Sequence, residues 1–107
     1  MRVGNQIEVS GTVAMDGDQL IGEGDPYLQA KFSLEKIGKA LNKAGANFEH
    51  VVRTRIYVVE IEHWEAVTKA HGEIFKNILP ACTLVKVAGL INERLLVEIE
   101  ATAIITN

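Results

Sequence analysis

Cys82 is the only cysteine in a chain of 107 residues, and its thiol is an intrinsically strong nucleophile once deprotonated. A catalytic thiol wants a histidine beside it to take its proton, and the sequence offers no local partner. The competing reading is a small apolar side chain that lines a core or pocket, with redox sensing as a lesser option. Glu98 and Glu100 alternate along one run, and Arg53, Arg55 and Tyr57 alternate along another. A carboxyl group so placed can position or activate water. It can equally pair across strands with an arginine and do no chemistry at all. Ser10, between Glu8 and Thr12 in a third alternating run, is either a pocket hydroxyl or a polar strand position. His50, His63 and His71 contain neither Glu-x-x-His nor two histidines at i, i+4, so no metal site is expected. His71 lies on an apolar stripe and reads as a packed histidine. The stretch Gly22-Glu23-Gly24-Asp25-Pro26-Tyr27 holds two glycines of a dinucleotide loop, but Tyr27 replaces the third. Its two acids would also repel phosphates. No Gly-x-Ser-x-Gly supports a serine hydrolase.

The elements that must carry these residues follow from periodicity. Residues 7–13 alternate apolar and polar at period two, which predicts a strand. Asp16-Gly17-Asp18 reads as a hairpin turn, with a short strand over 19–21 pairing back. Asp25-Pro26 starts a helix, since aspartate caps free amides and proline suits the first helical position. Tyr27, Ala30, Leu34, Ile37, Leu41 and Ala44 then form one stripe at spacings of three and four, and Gly45 ends it. Residues 51–59 are β-branched and aromatic, a strand. Trp64, Val67, His71 and Ile74 repeat at helical spacing to about Asn77, before Pro80 ends the region. Residues 83–87 and 94–105 read as two more strands joined by a connection over 88–93. The order β-β-α-β-α-β-β predicts an α+β fold, with two helices on one face of a sheet. Val97, Ile99, Ala101 and Ala103 should lie under the helices. Glu98, Glu100 and Thr102 should share the other face with the arginines. That face is either solvated or the interior of an oligomer.

Composition sets the remaining bounds. The length suits one domain over 1–107, with no linker or repeat. Apolar residues make up 48% and charged residues 23%, a globular balance that argues against disorder. A net charge of −3 without a basic run disfavours a nucleic-acid partner. No apolar run reaches the ~20 residues of a membrane span, and the first residues lack a secretory core. A lone cysteine excludes an internal disulfide and a cysteine-built zinc cage. A soluble cytoplasmic domain is expected.

An ordered set of short segments carries a resemblance. Val9-Ser10-Gly11, Gln29, Ala44-Gly45-Ala46, the strand 51–59, Leu79-Pro80-Ala81 and Val97-Glu98-Ile99-Glu100-Ala101 together resemble the RidA/YjgF family, once labelled endoribonuclease L-PSP. The resemblance implies a chorismate-mutase-like (YjgF-like) fold, a homotrimer with a central barrel, and ligand pockets between subunits. It implies no metal or organic cofactor, and the lack of a long apolar run leaves no membrane partner expected. Active members hydrolyse enamines and imines to a 2-oxo acid and ammonia. Such chemistry needs a cation for the substrate carboxylate and a carboxyl group for water.

Carried over residue by residue, the resemblance makes Ser10 a pocket serine, Glu98 the catalytic, water-handling glutamate and the backbone of Leu84 a ligand contact. Cys82 occupies the slot that holds arginine in active members and would line the pocket. Thr68 stands where asparagine is common, and the family's N-terminal extension with a pocket tyrosine has no counterpart before Met1. A thiol has no five-donor fork, so a small-metabolite-binding trimer without standard 2-imino acid deaminase activity is expected. Arg55 and Lys86 are the candidate replacement cations. The alternatives are a deaminase of shifted specificity and an interaction or holdase-like module. A ribonuclease role gains nothing from the charge.

Overall fold

The computed structural model describes residues 1–106, and its elements follow the chain in the order β1 (Arg2–Val3), β2 (Gln6–Thr12), β3 (Met15–Asp16), β4 (Gln19–Leu20), α1 (Pro26–Lys43), β5 (Val51–Val58), α2 (Trp64–Phe75), β6 (Ala81–Lys86) and β7 (Val97–Ile104). Five strands form a mixed sheet in the order β1-β2-β7-β5-β6, and β3 with β4 makes a separate two-stranded hairpin. Strands β5 and β6 run parallel because α2 carries the chain back across the sheet, whereas the other pairs are antiparallel. Both helices cover one face. The result is the α+β arrangement that the periodicity predicts.

The first helix forms where its signals stand. Asp25 accepts the Leu28 amide at 3.0 Å, Pro26 follows, and Gly45 adopts φ +88° past the last turn. Ala30, Leu34, Ile37 and Leu41 are fully buried against Ile56, Val58, Val97 and Ile99 of the sheet. Each large aliphatic side chain so buried contributes roughly 1.5–3 kcal/mol. The second helix differs from its expected stripe: Val67, Ala70 and Phe75 are buried, while Trp64 at the first turn is half exposed.

Several boundaries depart from the sequence expectation, among them an added strand β1 and the start of β6 at Ala81 rather than at residue 83. The 19–21 segment pairs with Met15–Asp16 rather than with the first strand, through a turn in which Gly17 takes φ +62°. Helix α2 ends at Phe75, and Leu79 sits at φ +56° with its amide bonded to the Phe75 carbonyl at 2.9 Å. The last strand begins at Val97, not at residue 94. Buried Gln29 takes the Leu96 amide on its Oε1 at 2.8 Å and donates Nε2 to the Arg94 and Gly22 carbonyls at 3.2 and 3.1 Å. Those backbone groups are therefore engaged by α1 instead of a neighbouring strand.

Candidate functional site

Alternation in β7 decides which side chains can do chemistry. Val97, Ile99, Ala101 and Ala103 are buried under the helices, so Glu98, Glu100 and Thr102 project from the opposite face, as expected. There they meet a polar ladder running over several strands. Tyr57 donates to Glu100 Oε1 at 2.6 Å, and Arg55 Nη1 lies 3.8 Å from the same oxygen. The bond to Glu100 raises the Tyr57 pKa, because the phenol proton is held by a carboxylate. On β2, Glu8 accepts Thr102 Oγ1 and Gln6 Nε2, both at 2.7 Å, and these donors lower its pKa.

The expected pairing of two glutamates with two arginines is half right. Arg55 does approach Glu100. Arg53 instead donates Nη2 to Thr83 Oγ1 of β6 at 2.7 Å. Glu98 stands opposite Tyr57 in register and makes no hydrogen bond or ion pair among the described residues. Its carboxylate lies against Gly11 of β2. A Cβ at residue 11 would sit 2.5 Å from Glu98 Oε2 and 2.7 Å from its Cδ, so only glycine leaves that space free. The ladder between β2 and β7 slips between Val9 and Thr12, and Ser10 and Gly11 occupy the irregularity with Ser10 exposed. Glu98 thus packs against Gly11, and Ser10 precedes that glycine in the same irregularity. The role of Gly11 escaped residue-level reading, because nothing local marks a strand glycine as space for a residue 87 positions away. A register between the first and last strands would have revealed it.

Cys82 and Leu84 lie elsewhere. Both are on β6, the edge strand, opposite Thr54 and Ile56 of β5. Thr54 and Ile56 are fully buried, so Cys82 and Leu84 share the helix-side face, while Glu98 belongs to the open face. Two strand spacings and three residues of register separate Cys82 from Glu98, about 14 Å within one copy. The thiol is exposed and has no hydrogen-bond partner among the described residues. A histidine does stand near its neighbour: His71 Nε2 is 2.8 Å from Thr54 Oγ1. That ring packs on Phe75 with centroids 4.6 Å apart, and burial lowers its pKa.

The remaining candidates are local fixtures. Thr68 donates its hydroxyl back to the Trp64 carbonyl at 2.7 Å. His50 accepts the Asn47 amide at 3.1 Å as part of a helical cap. Gly22 and Gly24 take positive φ in the turn before α1, where Glu23 pairs with Arg94 at 2.8 Å. No group of three His, Cys, Asp or Glu side chains is close enough to hold a metal ion among the described residues. An open cleft of about 640 Å³ lies beside the 88–93 loop, and a smaller one of about 260 Å³ flanks α1. Neither is lined by Ser10, Cys82, Leu84 or Glu98. No helix is long and apolar enough to cross a membrane among the described residues.

Known proteins place this arrangement. The family model described as endoribonuclease L-PSP matches residues 1–105. The chain is 40% identical over 100 residues to the uncharacterized protein SCO2049 of Streptomyces coelicolor, covering 94% of this chain and 75% of that one. It is 34% identical over 104 residues to human 2-iminobutanoate/2-iminopropanoate deaminase, covering 95% and 74%. The crystal structure of Rv2704 from Mycobacterium tuberculosis, a YjgF/YER057c/UK114 family member, matches with a TM-score of 0.87 at 41% identity, covering 97% and 82%. A family match over nearly the whole chain, relatives above 30% identity and a shared fold agree, and the chain belongs to the RidA/YjgF (endoribonuclease L-PSP) family.

Proposed function

We propose that this protein is a cytoplasmic homotrimer that binds a small metabolite in pockets between subunits and lacks standard 2-imino acid deaminase activity. One observation carries the reading. Glu98 packs against Gly11, next to Ser10 in the chain, Cys82 and Leu84 lie on the far edge strand, and neither cleft joins them. A pocket that uses both groups draws them from two copies, and closed rotational symmetry then repeats it at every interface. The polar ladder of Arg55, Tyr57 and Glu100 suits a face turned toward other copies, since its charges are already paired.

Cys82 sets the chemistry. A neutral thiol offers no bidentate clamp for a carboxylate, so an imino acid is not held with its carbon near a water on Glu98. The Cys82 thiol serves as pocket lining rather than as a nucleophile, as it has no hydrogen-bonded base among the described residues. A second reading, an enamine or imine deaminase of altered specificity, is favoured by the human deaminase relative. In it, Glu98 orients water toward an imine carbon, giving a carbonyl product and ammonia.

Solution mass and a single substitution test the proposal together. Sedimentation should give three times the 11.7 kDa chain. Cys82→Arg should add hydrolysis of 2-iminopropanoate that Glu98→Ala removes. A monomer, or an arginine variant that gains nothing while staying trimeric, would count against it.

A further inference from the structure

We infer that the ligand of this pocket is a small organic cation, an amine or iminium without a carboxylate, with Glu98 as its counter-charge. The inference rests on the reading of Ser10, Cys82, Leu84 and Glu98 as one pocket. It adds the class of molecule that the pocket selects.

Glu98 carries a carboxylate with no hydrogen bond and no ion pair among the described residues. Its neighbour Gly11 leaves it room and offers no side chain to neutralise it. An assembly of identical copies contributes only the cations of this sequence, and those nearest on the sheet are engaged. Arg55 sits beside Glu100, whose Oε1 also accepts the Tyr57 proton. Arg53 donates to Thr83. Lys86 shares a strand face with Cys82 and Leu84 and stands about 7 Å beyond Leu84 along the strand, at the end of the pocket away from Cys82. The end of the pocket around Ser10 and Glu98 therefore carries a negative fixed charge.

Glu98 is half-buried and has no partner, so a ligand that brings a positive N–H donor gains a charge-assisted hydrogen bond there. A carboxylate ligand would instead meet Glu98 as a like charge. Ser10, with an exposed hydroxyl beside the same glycine, can accept a second N–H of the ammonium group. Cys82 then suits the apolar end of the ligand, where a guanidinium would have repelled it. The same exchange of arginine for cysteine that removes acid binding turns the preference toward cations.

Three small probes of similar shape separate the charges: isopropylammonium, isobutyramide and isobutyrate. Each is titrated into the full-length protein, and binding is read from the backbone amide signals of Ser10, Gly11 and Glu98 in heteronuclear NMR spectra. Isopropylammonium should bind at the lowest concentration. Glu98→Gln should weaken it on the order of tenfold, to the level of the amide. Isobutyrate binding more tightly at those amides would overturn the cation preference while leaving the pocket in place. Equal affinity of the ammonium for the native protein and Glu98→Gln would overturn it too. If no probe moves those amides, the pocket itself is refuted together with its selectivity.

Discussion

Replacing Gly11 with alanine should move one carboxylate and little else. An added Cβ would stand 2.5 Å from Glu98 Oε2, 2.7 Å from Cδ and 3.2 Å from Cγ. Ordinary carbon–oxygen contact begins near 3.4 Å, so the carboxylate must retreat by about 0.9 Å. The obstacle is the far end of a flexible side chain, and residue 11 does not need the left-handed region that glycine alone tolerates. An off-rotamer Glu98 costs about 0.5–1.5 kcal/mol. The loss of glycine's freedom in the unfolded chain offsets about 0.4–1 kcal/mol of it. The net change in stability should stay within about 1 kcal/mol, a melting shift of no more than roughly 8 °C for a domain of this size. A crystal structure of Gly11→Ala and a thermal melt check both halves. An undisplaced Glu98 carboxylate would refute the packing argument, as would a melting drop well beyond that range.

Other perturbations follow from the same contacts. Gln29→Met should destabilise by about 2–4 kcal/mol in urea denaturation, because it leaves the Arg94 carbonyl and the Leu96 amide without their side-chain partner, while the Gly22 carbonyl keeps the Asp25 amide; a loss under ~1 kcal/mol would mean water replaces the clasp. His71 has its folded pKa depressed by burial, so below the unfolded value near 6.5 the unfolded chain takes up a proton that the fold resists. Its contribution is full above that value and declines as pH falls through the window beneath it. Urea midpoints at pH 7.5 and 5.5 should show this decline, and His71→Phe should flatten it; an unchanged slope would assign the effect elsewhere. Leu79→Asn should stabilise by about 0.5–1 kcal/mol, since asparagine tolerates φ +56° better than leucine and the replaced side chain is exposed. A lower melting temperature would show that the leucine side chain makes a contact in the assembled protein.

Local chemistry explains what was legible in the sequence. Asp25, Pro26 and Gly45 specify α1 by short-range rules, and the alternation of β7 assigns its two faces correctly because one face must be buried. Longer-range facts were hidden. The start of β7 depends on Gln29, a buried polar residue whose partners lie 65 and 67 positions away. The placement of Trp64 outside the core depends on how α2 rolls on the sheet, which its own periodicity does not fix. The ladder partners of Arg53 and Glu98 depend on strand order, since β6 lies beside β5 and supplies Thr83. The candidate site was legible as residue types, while its division between two parts of the chain emerged only from the register.

The rate of the native protein with freshly generated 2-iminopropanoate tests the central claim most directly. With Cys82 in place of the arginine clamp, release of pyruvate and ammonia should stay at the uncatalysed background across a range of protein concentrations. Saturable turnover that vanishes in Glu98→Ala would contradict it, and would make this chain a working deaminase that holds its substrate by other means.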